Sequence, residues 1–265
     1  MSVGVNVKKI LLFLAFLISN LSLVCGILQA DTEKLHYNLV DGLPDIYIHP
    51  NSEKIGHTWS NGTVWEKHLI QKFYSLLPSN DFFVAIDLGA QTGCFSLLAK
   101  YFPNSRWYSF EPLQEAAATL KENLVLNNIN NVIIHQMAVS DFSGKAKLKM
   151  PAMNEWGLAT IGEKPLRFDT VMEREVECID LDSFIAAQHI GKVHFMKLDT
   201  EGSELSILRG ARKMIMRDHP IMIMEYNETN MKQCGILKKD VDKFLLEMGY
   251  TWKLVSSEDI LCIPQ

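Results

Sequence analysis

The stretch 82–112, FFVAIDLGAQTGCFSLLAKYFPNSRWYSFEP, restricts the fold of this chain more than any other. An apolar run at 83–86 ends in Asp87. A loop with Gly89 and Gly93 follows, then an apolar helical segment to Tyr101. A second apolar run at 107–110 closes on Glu111. Strand, glycine loop, helix, strand and acid, in that order, make the half-domain that holds an adenosine-containing ligand against a parallel sheet.

The alternation continues downstream. Leu113, Ala116, Ala117, Leu120 and Leu124 recur at helical spacing behind Pro112, and the asparagine-rich run 127–131 ends that helix. Strands are expected at 132–136, 194–198 and 221–224, with helices at 181–188, 203–216 and 238–248. Residues 142–178 read as an excursion built on a hairpin, 145–150 with 173–179, and residues 250–255 with 260–263 read as a C-terminal hairpin. The expectation is an α/β fold: one mostly parallel seven-stranded sheet, helices on both faces, closed by an antiparallel pair. A helix before the first strand is expected from Val64, Leu69, Phe73 and Leu76, stopped by Pro78.

The N-terminus reads differently. Lys8 and Lys9 precede an apolar run at 10–28, the pattern of a signal peptide or, uncleaved, of a signal anchor that associates with membrane through residues 8–28. The organisation is therefore read as 1–30 leader, 31–80 N-terminal extension or lid, and 81–265 main domain. The leader points to the secretory pathway, export or a membrane; without it the chain is expected in the cytoplasm. Asn61-Gly62-Thr63 and Asn227-Glu228-Thr229 read as glycosylation sequons. Net charge is −5 and no long basic run occurs, so a nucleic-acid partner is not expected. Cys25, Cys94, Cys178, Cys234 and Cys262 include no CxxC pair, and the histidines show no HxxxH spacing, so no metal is assigned.

Ligands of such sheets lie outside the carboxyl ends of the strands. Asp87, Glu111, Asp141, Asp199 and Glu225 all fall at or just past expected strand ends and are expected on one rim. The spacing Asp87-x-Gly89-x-x-x-Gly93 is not GxGxxG, because Ala90 stands where a second close glycine would be. That detail points to S-adenosylmethionine rather than a dinucleotide. Glu111 suits a grip on ribose hydroxyls, and Asp87 suits the amine at the methionine end. In Asp199-Thr200-Glu201-Gly202-Ser203-Glu204, helix-dipole complementarity explains Glu204 but not Asp199. An acid at Asp199 is placed to orient or deprotonate a hydroxyl.

The segments VAIDLGAQTGCFSLLAK, SFEP, MAVSD and FMKLDTEGSELSILRGA, in this order over about residues 60–263, resemble the FkbM family of S-adenosylmethionine-dependent methyltransferases. The resemblance implies a class I, Rossmann-like methyltransferase fold over 81–265. It also implies O-methylation of a hydroxyl on a sugar or other small molecule. It assigns cofactor contacts to Asp87, Gly89, Gly93 and Glu111, with Ala90, Ala138 and Asp141 from the same motifs. Asp199 and Glu201 become the catalytic candidates. Glu66 and Glu204 become candidates for the acceptor side, a small molecule or glycan, joined by Glu225 from the strand-end acids and by Trp156, whose ring suits stacking on a sugar face. Gln91 departs from the Asn usual after Gly-Ala in this family.

Three other readings meet the same residues. A non-catalytic module on this fold would fit the leader, but intact motif acids argue against it. A nicotinamide or nucleotide-sugar enzyme is disfavoured by the missing GxGxxG. A divalent metal among Asp199, Glu201 and Glu225 lacks a second converging ligand set in the sequence.

Overall fold

The computed structural model describes residues 35–52, 59–60, 63–151, 156–162 and 171–265. The leader at 8–28, the sequon at Asn61 and the Trp156 side chain lie outside that description. Among the described residues no helix is long and apolar enough to cross a membrane.

Two short antiparallel pairs come first: β1 (Leu35–Tyr37) with β2 (Ile46–Ile48), and β3 (Trp59–Ser60) with β4 (Thr63–Val64). Helix α1 (Lys67–Tyr74) leads into β5 (Phe83–Leu88), a 3-10 turn at Ser96–Tyr101 and β6 (Ser105–Phe110). Next come α2 (Gln114–Leu126), β7 (Val132–His135), β8 (Ala138–Ser140), β9 (Gly144–Pro151) and β10 (Val171–Asp180). The remainder is α3 (Leu181–Ala187), β11 (Phe195–Leu198), α4 (Glu204–Gly210), α5 (Arg212–Asp218), β12 (Ile221–Glu225), α6 (Glu228–Gln233), α7 (Lys238–Glu247), β13 (Tyr250–Leu254) and β14 (Asp259–Pro264).

The main sheet has seven strands in the order β13-β14-β12-β11-β5-β6-β7. Pairings among β12, β11, β5, β6 and β7 are parallel, and β14 runs antiparallel to both its neighbours. The strand order reverses between β5 and β11, which puts the switch point, and its crevice, beside β5. β5 is buried along its whole length, Asp87 included, and its apolar run at 83–86 is that of a central parallel strand.

Alternation along the strands divides the core in two. Val84, Ile86, Leu88, Met196 and Leu198 face a layer formed with α3, α4, α5 and α7. Phe83, Ala85, Trp107 and Phe195 face the other, where Phe73 of α1 meets Phe95 and Phe195 edge-on at 5.6 and 6.3 Å. Leu39, Ile46 and Ile48 pack into this second layer, so residues before α1 help cover the sheet. Burying one such aromatic side chain stabilises the fold by roughly 3 kcal/mol.

Three elements differ from the sequence expectation. The excursion carries a strand beyond its expected hairpin: Ala138–Ser140 pairs with β10, which with β9 makes a separate three-stranded sheet. The helix expected at 203–216 is two helices, broken at Ala211. Helix α6 was not foreseen; the Asn227 side chain caps it, accepting from the N–H groups of Thr229 and Asn230 at 2.9 and 3.2 Å.

Candidate active site

The rim at the carboxyl ends of β5, β6, β11 and β12 is built by loops that approach unusually closely. A Cβ on Gly89, whose φ is +74°, would stand 1.8 Å from the Asp199 carbonyl oxygen. A Cβ on Gly202 would stand 1.9 Å from the Asn230 carbonyl oxygen. Only glycine permits these crossings, and they bring the loop after β11 against the β5 loop on one side and α6 on the other. Gly93, at φ +105°, is in a backbone conformation that favours glycine, and a Cβ there would also meet Leu120 of α2. Ala90 is buried and its N–H donates to the Phe110 carbonyl at 3.0 Å.

Asp87 and Lys197 are register partners in adjacent strands, and Ser109 is the partner of Asp87 on its other side. Their side chains form one polar track through an otherwise apolar layer. Ser96 Oγ donates to Asp87 Oδ2 at 2.5 Å and lies 2.7 Å from Ser109 Oγ. Lys197 Nζ donates to Asp199 Oδ2 at 2.9 Å. Burial alone would lower the lysine's proton affinity, but Asp199 and then Asp87 outweigh it and hold the ammonium above the usual range. Burial raises the Asp87 carboxyl, with Lys197 opposing, and its Oδ1 is buried without a hydrogen-bond partner.

Glu111 follows β6 and is only 6% exposed. Its Oε2 accepts from the Gln91 N–H at 2.9 Å and its Oε1 from the Leu113 N–H at 2.8 Å. These bonds hold Gln91 at φ 49° and oppose the burial that pushes the carboxyl up to about 7. Leu88, Gly89, Phe110, Pro112, Met137 and Ala138 line a narrow apolar cavity beside it, of about 40 Å³, together with Leu148, Ala159 and Ile161.

Glu201 also sits in the left-handed region, at φ 55°. Its carbonyl accepts from Thr160 Oγ1 and Gln233 Nε2, both at 2.9 Å, which stabilises that conformation. Asn230 Nδ2 then ties two acids together, donating to Glu201 Oε2 at 2.7 Å and Glu225 Oε1 at 2.5 Å. Asp199, Glu201 and Glu225 present carboxylate oxygens within 4.8 Å of one another. Burial first, then the neighbouring Glu204, Glu201 and Asp199 charges, raise the Glu225 carboxyl well above its ordinary value. Glu66 joins from the start of α1: burial, then the charges of Asp199 and Asp259, push it up to about 7.

The expected residues thus divide. Asp87, Asp199, Glu201, Glu225 and Glu66 share one neighbourhood, and Gly89 and Ala138 line the cavity beside Glu111. Asp141 does not join them. It is exposed at the end of β8, because that strand pairs with β10 and leaves the main sheet. Glu204 is directed at its own loop, accepting from the Thr200 N–H and Oγ1 at 2.8 and 2.9 Å. Lys197, Asn230 and Asp259 were not singled out. A lysine inside an apolar strand was the available signal for the first. Asn230 and Asp259 come from distant chain segments, and nothing local marks them.

A reversed strand order at β5 and β11, a glycine crossing and an acid after the second strand define the class I methyltransferase architecture. The model of the methyltransferase FkbM domain matches residues 87–251, and the chain belongs to that family, whose cofactor is S-adenosylmethionine. It is 26% identical over 157 residues to Methyltransferase 1 of Beauveria bassiana, an alignment covering 53% of this chain and 63% of that protein. It is 29% identical over 164 residues to Methyltransferase sdnD of Sordaria araneosa, covering 51% and 61%. The chain spans about three fifths of the length of these curated relatives. The crystal structure of methyltransferase FkbM from Methylobacillus flagellatus aligns over 81% of this chain and 58% of that one, at 17% identity and a TM-score of 0.46.

Proposed function

We propose that this protein is an S-adenosylmethionine-dependent O-methyltransferase acting on a hydroxyl of a sugar or other small molecule. The observation that carries the reading is the meeting of Asp87, Glu111 and the Asp199 loop around the Gly89 crossing. Glu111 would accept from ribose hydroxyls through lone pairs its two backbone bonds leave open. The buried, unpartnered Asp87 Oδ1 fits the cofactor's amine, directly or through water. The apolar cavity beside Pro112 and Met137 fits an adenine ring. Its volume is far below the several hundred Å³ usual for a cofactor pocket, so the roof of Leu148, Ala159 and Ile161 lifts on binding.

The cofactor supplies an electrophilic methyl group on a sulfonium. Asp199, with Glu201, orients the acceptor hydroxyl and takes its proton as the oxygen bonds to the methyl carbon and the carbon–sulfur bond breaks. Lys197 holds Asp199 in place through one oxygen. Glu66 and Glu225 face the acceptor. A net charge of −5 supports a small-molecule or glycan acceptor over nucleic acid. A secretory or membrane-anchored location, set by residues 8–28, belongs to the same proposal; protease protection of the chain in sealed vesicles would test it.

The test is calorimetric titration of S-adenosylmethionine and S-adenosylhomocysteine into the full chain and its Glu111→Gln variant. Saturable binding, weakened at least about tenfold in the variant, is the expected result; a tenfold loss corresponds to about 1.4 kcal/mol. No binding by a folded protein would overturn the enzyme reading and favour a non-catalytic module.

A further inference from the structure

Three carboxylates from two chain segments, Asp199, Glu201 and Glu225, meet at this rim with their oxygens within 4.8 Å of one another. Lys197 donates to Asp199, and the Asn230 amide ties Glu201 to Glu225. Ionised carboxylates this close repel one another strongly where water is scarce. A second, independent observation comes from the buried atoms. Glu225 is 7% exposed, and its Oε2 has no hydrogen-bond partner. Asn230 is fully buried, and its Oδ1 also lacks one. A buried carboxylate oxygen of Glu225 without a donor, beside two further acids, calls for a cation.

We infer that Asp199, Glu201 and Glu225 form a binding site for a hard divalent cation, with Asn230 holding Glu201 and Glu225 in position. The donor set is all oxygen, which suits Mg²⁺, Mn²⁺ or Ca²⁺ and does not suit soft thiolate-preferring metals. The dimensions agree. Ligands opposite each other across a Ca²⁺ at about 2.4 Å stand about 4.8 Å apart, and across Mg²⁺ about 4.2 Å. The three carboxylates already lie within 4.8 Å. Three protein ligands leave positions for water and for an acceptor oxygen.

The site's construction explains features that a proton-transfer role alone does not. Glu201 is held in a left-handed backbone by Thr160 and Gln233, an arrangement that fixes the direction of its side chain. Gly202 must be glycine so that α6 can bring Asn230 against the loop. The role of the cation rests on the methyltransferase reading: it would anchor the acceptor's oxygen beside the methyl donor. The cation site itself does not depend on that reading.

The test uses Mn²⁺ as probe, titrated into the purified full chain without cofactor or acceptor and followed by the electron paramagnetic resonance of free Mn²⁺. Saturable binding reversed by chelator is expected, displaced by excess Mg²⁺ or Ca²⁺. Glu225→Gln and Asp199→Asn should each weaken it at least about tenfold, while Glu204→Gln stays within about twofold. Circular dichroism melts confirm folding, and if one variant unfolds the other decides. Absence of saturable binding by the folded chain, or equal affinity in both variants, overturns the site. S-adenosylmethionine titrated into the same preparations separates the two ideas. Cofactor binding without Mn²⁺ binding removes the cation site alone, and the converse removes the methyltransferase reading while the site stands.

Discussion

At the amino ends of β5, β6 and β7 a cleft of about 540 Å³ opens between Phe82, Pro103, Arg106, Asn130 and Ile133. It is far larger than the cavity at the carboxyl ends, yet its inward polar groups, Asn131 and Ser105, have partners. Asn131 Nδ2 donates to the Phe102 carbonyl and Ser105 Oγ, and Ser105 Oγ accepts from Trp107 Nε1 at 2.8 Å. The carboxyl ends are the reverse. Among the described residues, the buried side-chain atoms without partners are Asp87 Oδ1, His135 Nε2, Glu204 Oε2, Glu225 Oε2 and Asn230 Oδ1. Asp87, His135 and Glu225 lie at the carboxyl ends of strands, and Glu204 and Asn230 in the helices that follow β11 and β12. Backbone strain divides in the same way. Asn128, His189 and His219 have positive φ where helices end, an ordinary terminator. Glu66, Gln91 and Glu201 have it around the site. Unmet hydrogen bonds and strain, rather than cavity size, distinguish the end of the sheet that carries the candidate site.

The contrast can be broken by experiment. The largest effect is expected from Asp199→Asn, which should lower turnover by about 10²–10⁴-fold while S-adenosylmethionine affinity changes little. Initial rates and calorimetry on the same preparation check it, and unchanged turnover removes Asp199 from the chemistry. Phe73→Ala opens a cavity in the layer behind the site and should cost about 3–5 kcal/mol of stability in urea unfolding. If cofactor affinity also collapsed in folded Phe73→Ala protein, the two regions would not be separable.

A pH series sharpens the point. The folded-state carboxyl of Glu111 lies near 7, above its ordinary 4.5, so the folded chain binds more protons than the unfolded chain between those values. Stability of the ligand-free protein should therefore fall as pH rises from about 4.5 through 7, by about 3 kcal/mol from this residue. Thermal melts across that window test the sign, and a rise would contradict it. Glu204→Gln keeps the oxygen that Thr200 donates to and replaces the unpartnered one, so a change under about 1 kcal/mol is expected in melts. At the opposite rim, exposed Arg106→Ala should shift stability by no more than about 0.5 kcal/mol and leave turnover unchanged.

Much of this was legible in the order of residues. The strand–glycine–strand–acid pattern at 82–112 and the acids at Asp199 and Glu201 lie within short segments, where periodicity and spacing carry the information. The apolar alternation of β5, β11 and β12 likewise reports a two-sided core from local composition. Lys197 was visible as an oddity in its strand, but its partners come from a neighbouring strand and the loop beyond it.

What tertiary structure alone decided is which carboxylates meet. Asp141 sits behind a strand by local pattern yet leaves the rim, because β8 pairs with β10 across the excursion. Glu225 and Asn230 join Glu201 only because Gly202 lets α6 close on the loop. The sequence by itself determined the alternation, the cofactor class and the candidate acids, since these depend on neighbours within a few residues. Strand pairing and loop crossings join residues tens of positions apart, and their energies depend on contacts that no local window contains.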